Sequence, residues 1–216
     1  MVTRVSLLIY PVVICVSAIL GYAGTVPPIL NKTVLVVLKS ECMCGLLCVA
    51  AMKNETATIM AQAGLRLKWH HLGDVRNIPQ TSNIILVKLL GTCNSESGQE
   101  FPRQGPLGWT DATDGDVLPF ISIAFDRVRW MAASSGNRNQ LRKEFILGRA
   151  LGRVLAHEMY HALARTTRHA DSGVAKSLYT PFDFICDRLT FSDRELGELQ
   201  QAVLPEPDQV HMSPEH

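Results

Sequence analysis

The chain has 216 residues, 47% of them hydrophobic and 19% charged, and a formal net charge of +1. That length holds one domain with a proper core plus short appendages, at an ordinary globular balance. Lys and Arg number 21 against 20 Asp and Glu, which excludes the basic stripe of a nucleic-acid module and leaves nothing to hold an anionic membrane.

The N-terminus carries a compartment signal. Arg4 gives a short positive start, residues 5–20 are almost wholly apolar, and Gly21-Tyr22-Ala23 sets small residues at the first and third places. This is the three-part layout of a secretory signal peptide, with cleavage expected after Ala23. The apolar run falls short of the roughly 20 residues that span a bilayer, and Pro11 interrupts it. An uncleaved N-terminal anchor is the alternative, and either one exports the rest. Residues 24–204 are therefore taken as the folded domain, secreted or periplasmic. Beyond Cys15, the cysteines are Cys42, Cys44, Cys48, Cys93 and Cys186, an odd number that leaves at least one outside any intrachain bridge. Their spacing matches no metal-ligand pattern. They read as small buried hydrophobes or as members of one or two disulfides, with connectivity left open.

Residues 33–38 (TVLVVL) are β-branched and predict a strand. Residues 46–62 have helical apolar spacing, and Gly64 ends them. Residues 65–69 alternate apolar and basic, as a half-buried strand does. Residues 83–90 are apolar on both faces and predict a central strand. The stretch 92–115 is rich in Gly, Ser, Pro and Asp and reads as a long surface loop, with a short edge strand near 107–109. Residues 117–125 predict a further strand, which Pro119 should confine to a sheet edge or delay. A long helix is expected over 139–165, with Arg142, Arg149 and Arg153 along a solvated face. A last helix starts at a Ser192/Glu195 capping box. Residues 205–216, with three prolines, read as a disordered tail.

The chemistry lies in the long helix. His157 and His161 are four residues apart, about one turn, so both imidazoles leave one face and can meet one metal ion. Glu158 is offset around the helix, where its carboxylate reaches water rather than the metal. Neutral imidazoles keep positive charge on zinc, which acidifies its water, and the carboxylate takes the proton. A His-Glu-x-x-His match arises by accident in a chain this size about once in a hundred. Catalytic zinc usually has three protein ligands. From the residues alone His169, Asp171, Asp183 and Asp187 are all candidates for the third, while Glu195 is taken by its cap.

Residues 157–176 (HEMYHALARTTRHADSGVAK) resemble the metzincins, in which a His-Glu-x-x-His helix ends, the chain turns, and a third His arrives from below. The places where that family usually has its Gly and third His hold Ala164 and Thr167 here. The spacing is closer to a variant in small bacterial metzincin-like proteins, with seven residues between the second His and the third. Gly173-Val174-Ala175 then matches their Gly-Ile-Met, with Ala175 where metzincins place a methionine under the metal. The resemblance implies His157, His161 and His169 as zinc ligands, with Glu158 as general base. It also implies an α+β, zincin-like fold: a twisted mixed sheet, a backing helix, a long active-site helix and a C-terminal helix. The expected activity is zinc-dependent hydrolysis of a peptide or protein substrate, aligned by strand addition at the sheet edge near Trp109 or residues 117–125. Tyr179 is a candidate to lend its phenol to an oxyanion. Tyr160 is expected to pack. The alternative is a catalytically silent exported zinc-binding or protein-interaction domain. Trp109, Trp130 and Phe101 are candidates for a specificity pocket.

Overall fold

The computed structural model describes residues 32–40, 44–72, 83–91, 104–134 and 139–203. The expected leader over 1–23, the tail over 205–216, and Cys15, Cys42, Cys93 and Phe101 lie outside them. Five strands form one mixed sheet in the order β2-β1-β3-β5-β4. They are β1 (Lys32–Ser40), β2 (Leu65–His71), β3 (Ile84–Leu90), β4 (Gly108–Thr113) and β5 (Asp116–Ala124). β1, β2, β3 and β5 run parallel, and β4 returns antiparallel against β5. Seven consecutive residues of β1 are buried, because a parallel strand covered on both faces has no solvent side to alternate with. β3 is the middle strand, as its two apolar faces predict.

Two expectations about the sheet need correction. The stretch read as a loop up to residue 115 contains β4, longer than the piece expected near 107–109. Asp114 and Gly115 both have positive φ (51° and 89°) and close a two-residue hairpin into β5, the Asp-Gly signal of a primed turn. β5 is also not an edge strand. Pro119 is tolerated inside the sheet because pairing with β3 starts only at Phe120. On its other side β4 has a register irregularity between Thr110 and Ala112, so no ladder bond is asked of the missing N–H. The open edge belongs to β4.

The backing helix α1 (Leu46–Met60) runs into a 3-10 turn at Ala61–Ala63, and Gly64 ends it in the left-handed conformation at φ 75°. β5 leads directly into α2 (Phe125–Ala133), a short helix that was not among the expected elements. The long helix α3 (Gln140–Ala164) starts at Asn139, whose side chain accepts from the Arg142 amide. A single turn, α4 (Phe182–Ile185), precedes α5 (Asp193–Ala202), where the Ser192/Glu195 capping box forms as expected.

α3 is the element around which the others assemble, touching α1, α2, α4, α5, β4 and β5. Two glycines four residues apart let α1 lie directly on it. A Cβ on Gly152 would sit 2.7 Å from the Met52 carbonyl oxygen, and one on Gly148 would sit closer still to that of Cys48. The arginines nearby do not form a solvated face. Arg142 is exposed, but Arg153 is fully buried and Arg149 half-buried. Arg153 pairs with Glu55 of α1 at 2.6 Å and donates to the carbonyls of Asp183 and Cys186. Arg149 holds the other Glu55 oxygen at 3.2 Å and donates to the Cys186 and Asp187 carbonyls. A buried guanidinium is stable only with its fork satisfied, so the pair binds α1, α3 and the segment 183–187 into one unit. Among the described residues no helix is long and apolar enough to cross a membrane.

Gly148→Ala should destabilise the fold by about 1–3 kcal/mol through forced separation of α1 and α3. Urea denaturation would read this, and an unchanged midpoint would show that the close approach is not a constraint.

Candidate metal centre

α3 presents His157 and His161 on one face, one turn apart. It ends at Ala164, and Arg165 reverses the chain in the left-handed region at φ 48°, a conformation costly for a residue with a Cβ. Reversal puts the Thr166 carbonyl against His161 and returns His169 to the same face. The three rings converge: His157 and His169 stack with centroids 5.3 Å apart, and His161 meets His169 edge-on at 4.8 Å. One ligand nitrogen from each of His157, His161 and His169 lies within 4.8 Å of the others.

Backbone carbonyls set the tautomers of His157 and His161. His157 Nδ1 lies 2.8 Å from the Val174 carbonyl oxygen and His161 Nδ1 lies 2.7 Å from that of Thr166. A carbonyl only accepts, so each Nδ1 carries the proton and donates. A neutral imidazole has one such proton, so both Nε2 atoms present lone pairs, and those atoms are 3.1 Å apart. Burial pushes the His157 pKa down to about 4, partly offset by the Val174 bond, with its histidine neighbours adding to the depression. His161 is lowered for the same first reason. At neutral pH no proton therefore sits between the two lone pairs, and a cation fits there. Three imidazoles suit zinc, and the carbonyls orient His157 and His161 as partners behind a metal site do.

Glu158 is 6% exposed, its carboxylate turned towards β4. The Thr110 hydroxyl lies 2.9 Å from its Oε2 and 3.1 Å from its backbone oxygen. Gly108 makes room: a Cβ there would lie 3.0 Å from Glu158 Cγ and from Val154 Cγ1. Burial pushes the Glu158 carboxyl up to about 7, with Thr110 pulling the other way. A cavity of about 450 Å³ opens over the cluster between β4, α2, α3 and the segment 176–179. Trp109, Trp130 and Met131 line it with the histidines and Glu158.

The other candidate ligands lie elsewhere. Asp171 and Asp187 are exposed, and neither joins the three imidazoles. Asp183 accepts from Lys176 Nζ at 2.6 Å and from the Thr180 amide and hydroxyl at 2.7 Å. Cys44, Cys48 and Cys186 are free thiols outside the cluster. Tyr160 is buried and donates to Glu198 at 2.5 Å, which agrees with a packing role. Tyr179 differs from its expectation. It is buried, and its hydroxyl donates to the Val174 carbonyl at 2.6 Å. The phenol therefore braces the oxygen that holds His157 and is not directed at a substrate. Ala175 is buried, and Gly173 takes φ 75° with Thr190 packed against it. Thr110 and the carbonyls of Val174 and Thr166 escaped sequence reasoning. Thr110 fell in a stretch read as loop, and a carbonyl has no residue type to mark it.

No family model and no curated protein matches the sequence. Among solved structures the chain is similar to archaemetzincin from Methanopyrus kandleri, at 12% identity and a TM-score of 0.44, covering 82% of this chain and 98% of that one.

Two outcomes test this geometry. His169→Ala should lose or greatly weaken zinc binding, read as zinc per chain by elemental mass spectrometry. Full retention would move the third ligand to Asp171, Asp183 or Asp187. Asp183 should also set an acid limit. Burial raises its pKa, but the bonds from Lys176 and Thr180 outweigh this and hold it below the ordinary value. A depressed folded-state pKa adds stability above the unfolded pKa of about 3.9 and loses it as pH falls through the folded value. Asp183→Asn should therefore lower the melting temperature at pH 7 and flatten its fall below about pH 4. A mutant curve parallel to wild type would refute the assignment.

Proposed function

We propose that this chain is an exported zinc endopeptidase in which His157, His161 and His169 hold the ion and Glu158 is the general base. The observation that carries this reading is the pair of Nε2 lone pairs that two backbone carbonyls force together, with a buried carboxylate one residue along the helix. When bound, zinc supplies a Lewis acid that acidifies water and polarises a peptide carbonyl. The chain's own residues do the rest. Burial keeps His157 and His161 neutral, and the Val174 and Thr166 carbonyls orient them. Glu158 takes a proton from water and passes it to the leaving amine. Thr110 holds the carboxylate against β4, so the base and the sheet edge share one frame.

The substrate class follows from β4. It pairs with β5 on one side, and its other edge offers main-chain groups to an extended peptide. Trp109 on β4 and Leu178 across the cavity are both exposed at the rim, 37% and 75%, where side chains of a bound peptide would rest. A structural zinc site is closed by four protein ligands. Among the described residues only the three imidazoles meet, beneath an open cavity, which supports catalysis over the silent alternative. Export rests on residues 1–23.

Glu158→Gln should retain zinc and lose at least about 100-fold in cleavage of a quenched fluorescent peptide library. Equal cleavage by the variant would remove Glu158 from the chemistry. A zinc-loaded wild type that cuts no member of the library would sink the peptidase and leave the silent zinc domain.

A further inference from the structure

Of the three imidazoles, His169 is the exposed one. Among the described residues its ring touches the other two histidines but has no hydrogen-bond partner. Its place therefore depends on the chain either side of it. After it, the Ala170 amide donates to the Ala175 carbonyl at 2.8 Å. Before it, Arg165, Thr167 and Arg168 are all exposed, and Arg168 reaches across to α5, where its guanidinium lies 2.9 Å from Glu198 Oε1. We propose that Glu198 is a positioning residue for the metal centre: through Arg168 it holds His169 within reach of the ion that His157 and His161 bind, an inference that rests on the three-histidine zinc centre proposed above.

Glu198 is itself held from behind. The Tyr160 hydroxyl donates to its other oxygen, Oε2, at 2.5 Å. Tyr160 is fully buried, stands one residue before His161 on α3, and packs its ring against Phe191 with centroids 5.8 Å apart. One half-buried carboxylate thus ties the helix that carries two of the histidines to the loop that carries the third, with one donor on each oxygen. Arg168 is also fastened nearer home. Its amide donates to the Thr166 hydroxyl oxygen at 3.2 Å, and the Thr166 carbonyl is the one that accepts from His161. The residue before His169 is therefore tied both to the turn behind His161 and to α5.

The tie acts on metal affinity rather than on the fold. A loop free to move would lose conformational freedom each time it brought His169 to the ion, whereas a loop already ordered has lost it beforehand. An ion pair open to solvent adds little to folding stability, and the Arg168 side chain is 67% exposed. Removing that arm leaves the buried Tyr160 hydroxyl still bonded to Glu198, so no buried polar group is orphaned.

The experiment measures the zinc affinity of the full-length chain by competition with a chromophoric chelator, together with the urea midpoint of the metal-free chain. Arg168→Ala and Glu198→Ala should each weaken zinc binding about 10-fold. The double variant should be no weaker than the weaker single one, because each residue acts through the other. Metal-free Arg168→Ala should keep the wild-type urea midpoint. Arg168→Lys should recover part of the affinity, since an ammonium can still pair with Glu198. Wild-type affinity in Arg168→Ala would overturn the proposal. So would losses that add in the double variant, or a fall in the metal-free midpoint of Arg168→Ala that matches its loss of zinc. Where Glu198→Ala fails to fold, Arg168→Ala against Arg168→Lys decides. A wild type that binds no zinc, or a His169→Ala chain that binds it as tightly as wild type, would remove the three-histidine centre itself and this proposal with it.

Discussion

Two hydrogen bonds to backbone carbonyls govern the centre of this protein. Imidazoles one turn apart on a helix would, left alone, choose their own tautomers and hydrogen-bond to each other or to water. The Val174 and Thr166 oxygens remove that choice by accepting from each Nδ1. Two lone pairs then face each other in a partly buried place, and a cation relieves what a proton cannot at neutral pH. Much of the surrounding structure serves to put those two oxygens where they are. The left-handed Arg165 returns the chain so that Thr166 reaches His161. Gly173 admits the Thr190 backbone beside Val174, and the Tyr179 hydroxyl braces the Val174 oxygen.

The rigidity behind this arrangement comes from α3. Its glycines bring α1 to backbone contact, and its buried Arg153 spans Glu55 on one side and the 183–186 carbonyls on the other. Removing one partner from such a network leaves an uncompensated charge, so the network is costly to break. Asp183 carries the tie onward through Lys176, a residue that also lines the cavity. The wall beside the histidine cluster is thus fastened to the core by charge, while the opposite wall, β4, is fastened by Thr110 and by the space that Gly108 leaves for Glu158.

Around His157 and His161 burial lowers the affinity for protons and leaves the Nε2 atoms free to act as ligands.

The sequence by itself determined the helix carrying His157, Glu158 and His161, the middle position of β3, the capping box at Ser192 and the edge strand near Trp109. Each of these depends on local periodicity or a short-range hydrogen bond, which neighbouring residues display directly. It left the third member of the cluster open between His169 and three aspartates, because their distance from His157 and His161 depends on how tightly the chain turns after Ala164. It misread Arg149 and Arg153 as solvated, because the partner that reverses that reading, Glu55, is far away along the chain, and of its two readings of Pro119, a sheet edge or a delayed start, the delay is the one that pairing from Phe120 onward matches. Which carbonyls would hold the imidazoles, and that Thr110 would grip Glu158, only the tertiary structure decided. Backbone oxygens are the same in every residue, and only folding gives them a place.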